Sequence, residues 1–382
     1  MKKRLHIVAV SILAVLATAC EIPFELRQEA QPKIYLQGIA SGDSVVVTTL
    51  YAAPITTETL IPVPSFRVEL HVNGELRQAE QKEGRDAFVC HGLPLKEGDA
   101  VEVVVSGEGL QASGRTYVPH QPRIEKLEWE KVQIDSIDAI QFRLTLDQAP
   151  GEEDFYGIRI DCTKTYYYLD GHEESNQYHE TPGYNLTAAD TGSFDLEDFM
   201  QLNYDGTTLG SSGSYEPLTL LTRKQFEGNV YSFYINSYDA SILQGIRDNL
   251  PEGETGMAGG GIVSGDVGGN PGGEDPDEGD GTQEWDPGQI IHTIRTEYRF
   301  QILRLSPEFY YYARALFQSN FDFLSNMGLT PANFTYTNVD GGLGFVGAEC
   351  RAVSDVVEIT ESIELPQDQF PDFPDSPVVG GK

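Results

Sequence analysis

From Lys33 onward, apolar and polar positions alternate with a period of two. Ile34, Leu36 and Gly38 share one phase, as do Val45, Val47 and Thr49, and then Phe66, Val68, Leu70 and Val72 against Arg67, Glu69 and His71. A pleated strand sends successive side chains to opposite faces, so this alternation predicts half-buried strands. Asn73-Gly74 follows the third run directly. Both central positions of a two-residue type I′ turn need positive φ, which Asn and Gly tolerate best, so a hairpin joining 66–72 to 75–80 is predicted. Further strands at 86–91, 99–106 and 110–118 bring the total to about seven, the spacing of an immunoglobulin-like β-sandwich over 32–119. That unit is expected to end near Val118-Pro119, with His120-Gln121-Pro122 as a hinge.

A larger strand-rich domain is expected over 123–362, with strands at 123–132, 138–147, 155–169, 216–222, 229–237, 290–305, 334–338 and 343–360. One helix interrupts it. Ser306 can cap its N-terminus, Pro307 fits the first helical position, Glu308 complements the helix dipole and Gly328 can close the far end. Phe309, Ala313, Leu316, Asn320 and Phe323 fall on one face, which predicts that the helix packs on a sheet. The fold class is therefore mainly β, an immunoglobulin-like sandwich followed by a larger strand-rich domain with one packed helix.

The pattern breaks in three places. Residues 251–288 turn abruptly to Gly, Asp, Glu and Pro, a composition that cannot offset the entropy of ordering and is expected to form a disordered acidic insertion. The tail at 366–382, with Pro366, Pro371, Pro374 and Pro377 among acids, reads the same way. At the N-terminus, Lys2, Lys3 and Arg4 lead into an apolar run from Ile7 to Leu16 that closes on Ala17-Thr18-Ala19-Cys20. The run is too short to cross a bilayer core of roughly 30 Å as a mature helix, and small residues before a cysteine suit a signal peptidase groove. Residues 1–19 are expected to be a lipoprotein signal peptide, Cys20 the lipidated first residue of the mature protein, and 20–31 a polar tether.

Removing Lys2, Lys3 and Arg4 takes the 26 basic residues to 23 against 59 acidic ones, a net charge of −36. No basic stripe is present to release phosphate counterions, so nucleic acid is not an expected partner. The acidity suits a solvated body held off an anionic membrane. With Cys20 lipidated, Cys90, Cys162 and Cys350 allow at most one disulfide.

Candidate chemistry is sparse. Asp275-Pro-Asp277-Glu-Gly279-Asp280-Gly281 has closely spaced carboxylates, yet its fifth and sixth places hold Gly279 and Asp280, the wrong register for an EF-hand loop. Asp170, His172, Glu173, Glu174, His179 and Glu180 are metal-capable but fit no ligand spacing and read as a surface loop. No GxSxG elbow is present and no histidine pairs recognisably with a serine or cysteine, so no catalytic, cofactor or metal site is expected. Tyr166, Tyr167, Tyr168, Tyr178 and Tyr184, with Phe309, Tyr310, Tyr311 and Tyr312, are read chiefly as core or sheet surface and secondarily as ligand contacts.

Several phrases stand in order along the chain: Pro32-Lys-Ile-Tyr-Leu-Gln-Gly38, Tyr51-Ala-Ala-Pro54, Tyr117-Val-Pro119, Thr222-Arg-Lys-Gln-Phe-Glu-Gly228, Phe300-Gln-Ile-Leu-Arg-Leu-Ser306, Glu308-Phe-Tyr-Tyr-Tyr312 and Asn338-Val-Asp-Gly-Gly-Leu-Gly-Phe-Val-Gly347. Together they resemble a lipoprotein family of Bacteroidota known as domain of unknown function four-two-four-nine. The resemblance covers about residues 20 to 362, and its closing phrase is the most specific. It implies an outer-membrane lipoprotein, its body on the periplasmic or the surface face with the surface favoured, that assists a TonB-dependent receptor in taking up a nutrient. It supplies no catalytic or ligand residues. A structural or adhesive surface lipoprotein without a transport role is the alternative. Gly341, Gly342 and Gly344 are expected to serve a tight turn and close backbone approach.

Overall fold

The computed structural model describes residues 32–52, 65–81, 87–134, 137–146, 154–180, 186–187, 200–205, 209, 217–222, 232–237, 291–321 and 336–362. The expected signal peptide, Cys20, the expected tether, the acidic insertion with its Asp275–Gly281 stretch, Tyr184, Phe323, Gly328 and the tail lie outside them.

Eight strands precede the expected hinge: β1 (Lys33–Ser41), β2 (Ser44–Ala52), β3 (Arg67–Val72), β4 (Glu75–Arg77), β5 (Glu80–Gln81), β6 (Ala87–Cys90), β7 (Ala100–Gly107) and β8 (Leu110–Tyr117). The β3–β4 turn has Asn73 at φ 54° and Gly74 at φ 81°, the type I′ geometry the dipeptide predicts. Asn73 does more than turn the chain. Its amide donates to Asp99 Oδ1 at 2.8 Å, and its Oδ1 accepts from the Ala100 N–H at 2.9 Å. That bond, and a second from the Lys96 N–H, hold the Asp99 carboxyl below the usual carboxylate range.

After the hinge come β9 (Ile124–Ile134), β10 (Ile137–Leu146), β11 (Phe155–Tyr168), β12 (Glu173–Glu180), β13 (Leu186–Thr187), β14 (Met200–Asn203), β15 (Pro217–Leu221), β16 (Ser232–Ser237) and β17 (Ile291–Leu305). Helix α1 (Pro307–Phe321) follows, then β18 (Val339–Asp340), β19 (Gly342–Val353) and β20 (Val357–Ser362). Among the described residues the protein is mainly β with one helix.

Eleven strands form one central sheet in the order β14-β15-β11-β17-β19-β1-β2-β6-β5, with β12 on β11 and β20 on β17. One face carries two smaller sheets. The sheet β18-β8-β7-β3-β4 packs over β1, β2, β6 and β19, where Ile34, Leu36, Val45 and Val346 meet Leu70, Val101, Val103 and Val105. The sheet β13-β16-β10-β9 packs over β11 and β17, where Phe142, Leu144 and Ile235 meet Ile158, Tyr298 and Phe300. Helix α1 covers part of the opposite face, burying Phe309, Tyr310, Tyr312 and Ala313 against Ile39, Leu303, Leu305 and Phe345. Each wholly buried Val or Phe removes enough apolar surface from water to contribute roughly 1.5–3 kcal/mol.

The sandwich does not close within 32–119. β1 pairs in parallel with β19, from Ile34 opposite Gly342 to Ser41 opposite Glu349, and β18 pairs with β8. The segment read as a hinge is tied to that late strand: the Cys350 thiol donates to the Pro119 carbonyl at 3.2 Å and Gln121 donates to the Arg351 carbonyl. Two further elements differ from expectation. Glu173–Glu180 was expected as loop but forms strand β12, paired along β11. Of the strand expected at 334–338, residues 336–338 are irregular and the strand starts at Val339, while 343–360 splits into β19 and β20.

The Asn338–Gly347 phrase explains how three strands meet. Gly341 (φ 73°) makes the β18–β19 turn, and a Cβ there would come to 2.5 Å of the Gln111 carbonyl oxygen. At Gly344 (φ 98°) a Cβ would overlap the Leu36 carbonyl oxygen. Only glycine allows β1, β8 and β19 this approach.

Candidate functional site

The helix-side face of the central sheet holds the buried Glu349 and Arg159. In β19 the phase that points Phe345 toward α1 continues through Gly347 to Glu349 and Arg351. On β17 the same face presents Gln301, and on β11 Arg159 and Asp161. Cross-strand register makes neighbours of them, since Arg159 lies opposite Gln301 and Leu303 opposite Arg351.

The side chains link into one chain of polar contacts. Arg351 donates to Glu349 Oε1 at 3.0 Å and to Gln301 Oε1 at 3.0 Å, and Gln301 donates to Asp161. Ser41, at the end of β1, donates to the same Glu349 oxygen, and Arg159 donates to the Tyr204 carbonyl. Glu349 has a wholly buried side chain. Its second oxygen, Oε2, and the buried Tyr204 hydroxyl make no close hydrogen bond among the described residues, yet the Tyr204 phenol lies near enough to Glu349 to feel its carboxylate. Burial raises the Tyr204 pKa well above the ordinary phenol value, and the charge of nearby Glu349 adds to it, with Arg351 opposing. Burial works against the Arg351 charge, but Glu349 beside it prevails and keeps the guanidinium firmly protonated.

A second polar contact lies further along the same face. The hydroxyls of Tyr35 and Tyr312 are 2.8 Å apart, and Tyr35 reaches Gln37 Oε1 at 3.2 Å. Burial raises both phenol pKa values. Around them α1 carries an aromatic run. Tyr310 stacks on Phe155 at 4.0 Å, while Tyr311, 41% exposed, meets Tyr336 at 5.7 Å. Burial, with Glu308 and Tyr311 adding, pushes the Tyr336 phenol up to about 12.

Helix α1 is held in place by Ser306, as its sequence predicts. Ser306 Oγ accepts from the Phe309 N–H at 3.3 Å and from the Ala348 N–H at 3.1 Å, joining the helix cap to β19. The buried face is wider than a single stripe, because Tyr310 and Tyr312 are buried beside Phe309 and Ala313.

The residues singled out from sequence do not converge here. His172 pairs with Asp170 and stacks on Tyr168 at 4.1 Å at the β11–β12 turn, while Glu173, Glu174, His179 and Glu180 lie along strand β12. No group of three or more metal-capable side chains forms among the described residues. Cys90, Cys162 and Cys350 form no disulfide among the described residues. The tyrosines of β11 split by alternation, with Tyr168 buried and Tyr167 on the opposite face from Tyr166. Glu349, Arg351, Gln301 and Tyr204 were not anticipated. Their signal was present as two charged residues, Glu349 and Arg351, in phase with Phe345, but alternation alone cannot separate a solvated face from one covered by a helix.

Comparison with known proteins gives one firm result. The family described as Domain of unknown function (DUF4249) matches residues 20–352. No curated protein matches. Among solved structures, the Yersinia pseudotuberculosis adhesin InvE is similar over 50% of this chain and 51% of that chain, at 10% identity and a TM-score of 0.17. So slight a likeness carries no argument about fold or function. The family match runs from Cys20 through the glycine-rich phrase into β19, and by it the chain belongs to the DUF4249 family.

Proposed function

We propose that this protein is an outer-membrane lipoprotein, anchored through Cys20, that assists a TonB-dependent receptor in capturing or delivering a nutrient. The observation that carries the anchor is a coincidence of two boundaries. The basic and apolar leader ends on Ala17-Thr18-Ala19-Cys20, and the family match begins at Cys20. A family match that begins where the leader ends supports cleavage and lipidation at that residue.

The architecture supports a binding role over chemistry. The specific phrase of the family is spent on backbone approach between β1, β8 and β19. The polar network of Glu349, Arg351, Gln301 and Asp161 is bonded among its own side chains. Purification of the tagged full-length protein from its native outer membrane in mild detergent, with mass spectrometry of what accompanies it, tests the reading. A stoichiometric TonB-dependent receptor supports uptake. Recovery alone, or with other surface lipoproteins, moves the reading to a free-standing structural or adhesive role.

A further inference from the structure

The helix-side face of the central sheet continues past α1 onto β12, β11, β17 and β20, and there it holds an anomaly of charge. Arginines elsewhere among the described residues have partners. Arg67, Arg77, Arg295, Arg304 and Arg351 pair with carboxylates, Arg159 with a carbonyl, and Arg115 and Arg143 with tyrosine rings. Arg123 and Arg314 are engaged as well. Arg299 is exposed and, among the described residues, has no ion pair, hydrogen bond or ring contact. In a chain of net charge −33, an arginine with no partner of any kind among the described residues is a local exception.

Register shows why it is left over. Asp161 stands directly opposite on β11, but its carboxylate accepts from Gln301 and acts on Arg351. On the other side of β17 the chain turns from β19 to β20. Val353 lies opposite Gln301 and Val357 opposite Tyr298, so the corner Ser354–Val356 runs beside Arg299. Val353 is 53% and Val356 45% exposed. The corner is clamped: the Ser354 N–H donates to the Phe300 carbonyl at 2.9 Å, and the Phe300 N–H donates to Ser354 Oγ at 3.0 Å. An unpaired guanidinium thus sits between two exposed valines on a fixed backbone. Arginine beside apolar side chains on a preorganised surface is the composition of an interface centre.

We infer that the Arg299, Val353 and Val356 surface docks a protein partner presenting an aspartate or glutamate flanked by apolar side chains. Charge complementarity selects that chemistry, since the guanidinium is a fork matched to a carboxylate and the valines exclude water around it. Within the proposed function this face is where the receptor meets the lipoprotein, so the inference rests on that reading for the partner's identity but not for its chemistry.

The test uses the full-length protein in its native cells, with a photo-crosslinking residue in place of Val356. One protein adduct is expected. Its yield should fall at least about tenfold with Arg299→Gln and survive better with Arg299→Lys, because a point charge keeps the attraction but loses the bidentate fit. Arg67→Glu, a charge reversal on β3 in the covering sheet, should leave the yield unchanged. Membrane level and melting temperature of each variant establish that the fold is intact, and Val353→Ser provides a second, charge-neutral probe with the same expected loss. Absence of an adduct, or an adduct insensitive to Arg299→Gln and Val353→Ser, overturns the docking surface. An adduct with these sensitivities to a protein other than a β-barrel receptor upholds the surface and counts against the transport reading alone.

Discussion

Asn338 and Val346 are paired as though both were backbone. The Asn338 amide donates to the Val346 carbonyl at 2.8 Å, and the Val346 N–H donates to Asn338 Oδ1 at 3.0 Å. The same amide also reaches the Arg115 carbonyl at 3.0 Å, so one side chain joins β19 to β8 where the ladder would otherwise lapse. Asn338→Ala leaves these groups without partners beside the buried Val346. A loss of about 2–4 kcal/mol is expected from buried polar groups at roughly 1–3 kcal/mol each. Urea unfolding of the mature chain measures it. Asn338→Asp, which keeps the acceptor and loses the donors, should be destabilising too.

Gly344 and Gly42 make a matched pair for testing backbone approach. Both have positive φ, yet a Cβ at Gly344 overlaps the Leu36 carbonyl oxygen while one at Gly42 meets nothing within 4 Å. Gly42→Ala should cost about 1 kcal/mol, the strain of the left-handed conformation alone. Gly344→Ala must also separate β1 from β19 and should cost more than about 4 kcal/mol or prevent folding. Equal melting temperatures for the two variants would remove the close-approach account of the family phrase.

Glu349 and Arg351 are expected to be worth less as a pair than either is alone. Removing the wholly buried Glu349 carboxylate strands the Arg351 charge, and Glu349→Ala should cost about 3–5 kcal/mol. Replacing both, as Glu349→Leu with Arg351→Met, should recover much of that loss, because the desolvation of both charges disappears together. A double-mutant cycle read by urea unfolding decides, and strict additivity would mean that the contact in β19 carries no coupling.

Cys350 gives the fold an alkaline sensitivity. Burial, reinforced by Glu349 and Glu97, raises its thiol to about 11. An unfolded cysteine ionises near 8.5, so between roughly pH 8.5 and 11 the native state holds a proton that the unfolded chain releases. Stability is therefore expected to decline as pH rises through that window and to be independent of this thiol below it. Cys350→Ser should flatten the decline. Native Cys350 should also react with iodoacetamide at pH 8 far more slowly than a free thiol.

What could be read in advance was local. The Asn73-Gly74 turn and the Ser306 cap announce themselves because turn and cap chemistry lie within a few residues. Strand β12 did not, since its described side chains, at 173–177, are polar and exposed and form no alternating apolar row. The parallel pairing of β1 with β19 joins Ile34 to Gly342 across almost the whole chain, and no pattern in either strand names the other. The glycines of Asn338–Gly347 marked that something crowds the backbone there, but only the fold identifies Leu36 and Gln111 as the neighbours. Glu349, Arg351 and Asp161 carry no pattern that marks them as neighbours, because only the register of β11, β17 and β19 brings them together.

The account depends most on the lipid at Cys20, since an anchored body is what places these sheets beside an outer-membrane partner. The most direct measurement is the mass of the N-terminal peptide of the protein recovered from its native membrane. A chain beginning at Cys20 and heavier by a diacylglyceryl group and an amide-linked acyl chain is the predicted result. An unmodified Cys20, or a chain beginning at another residue, would contradict it.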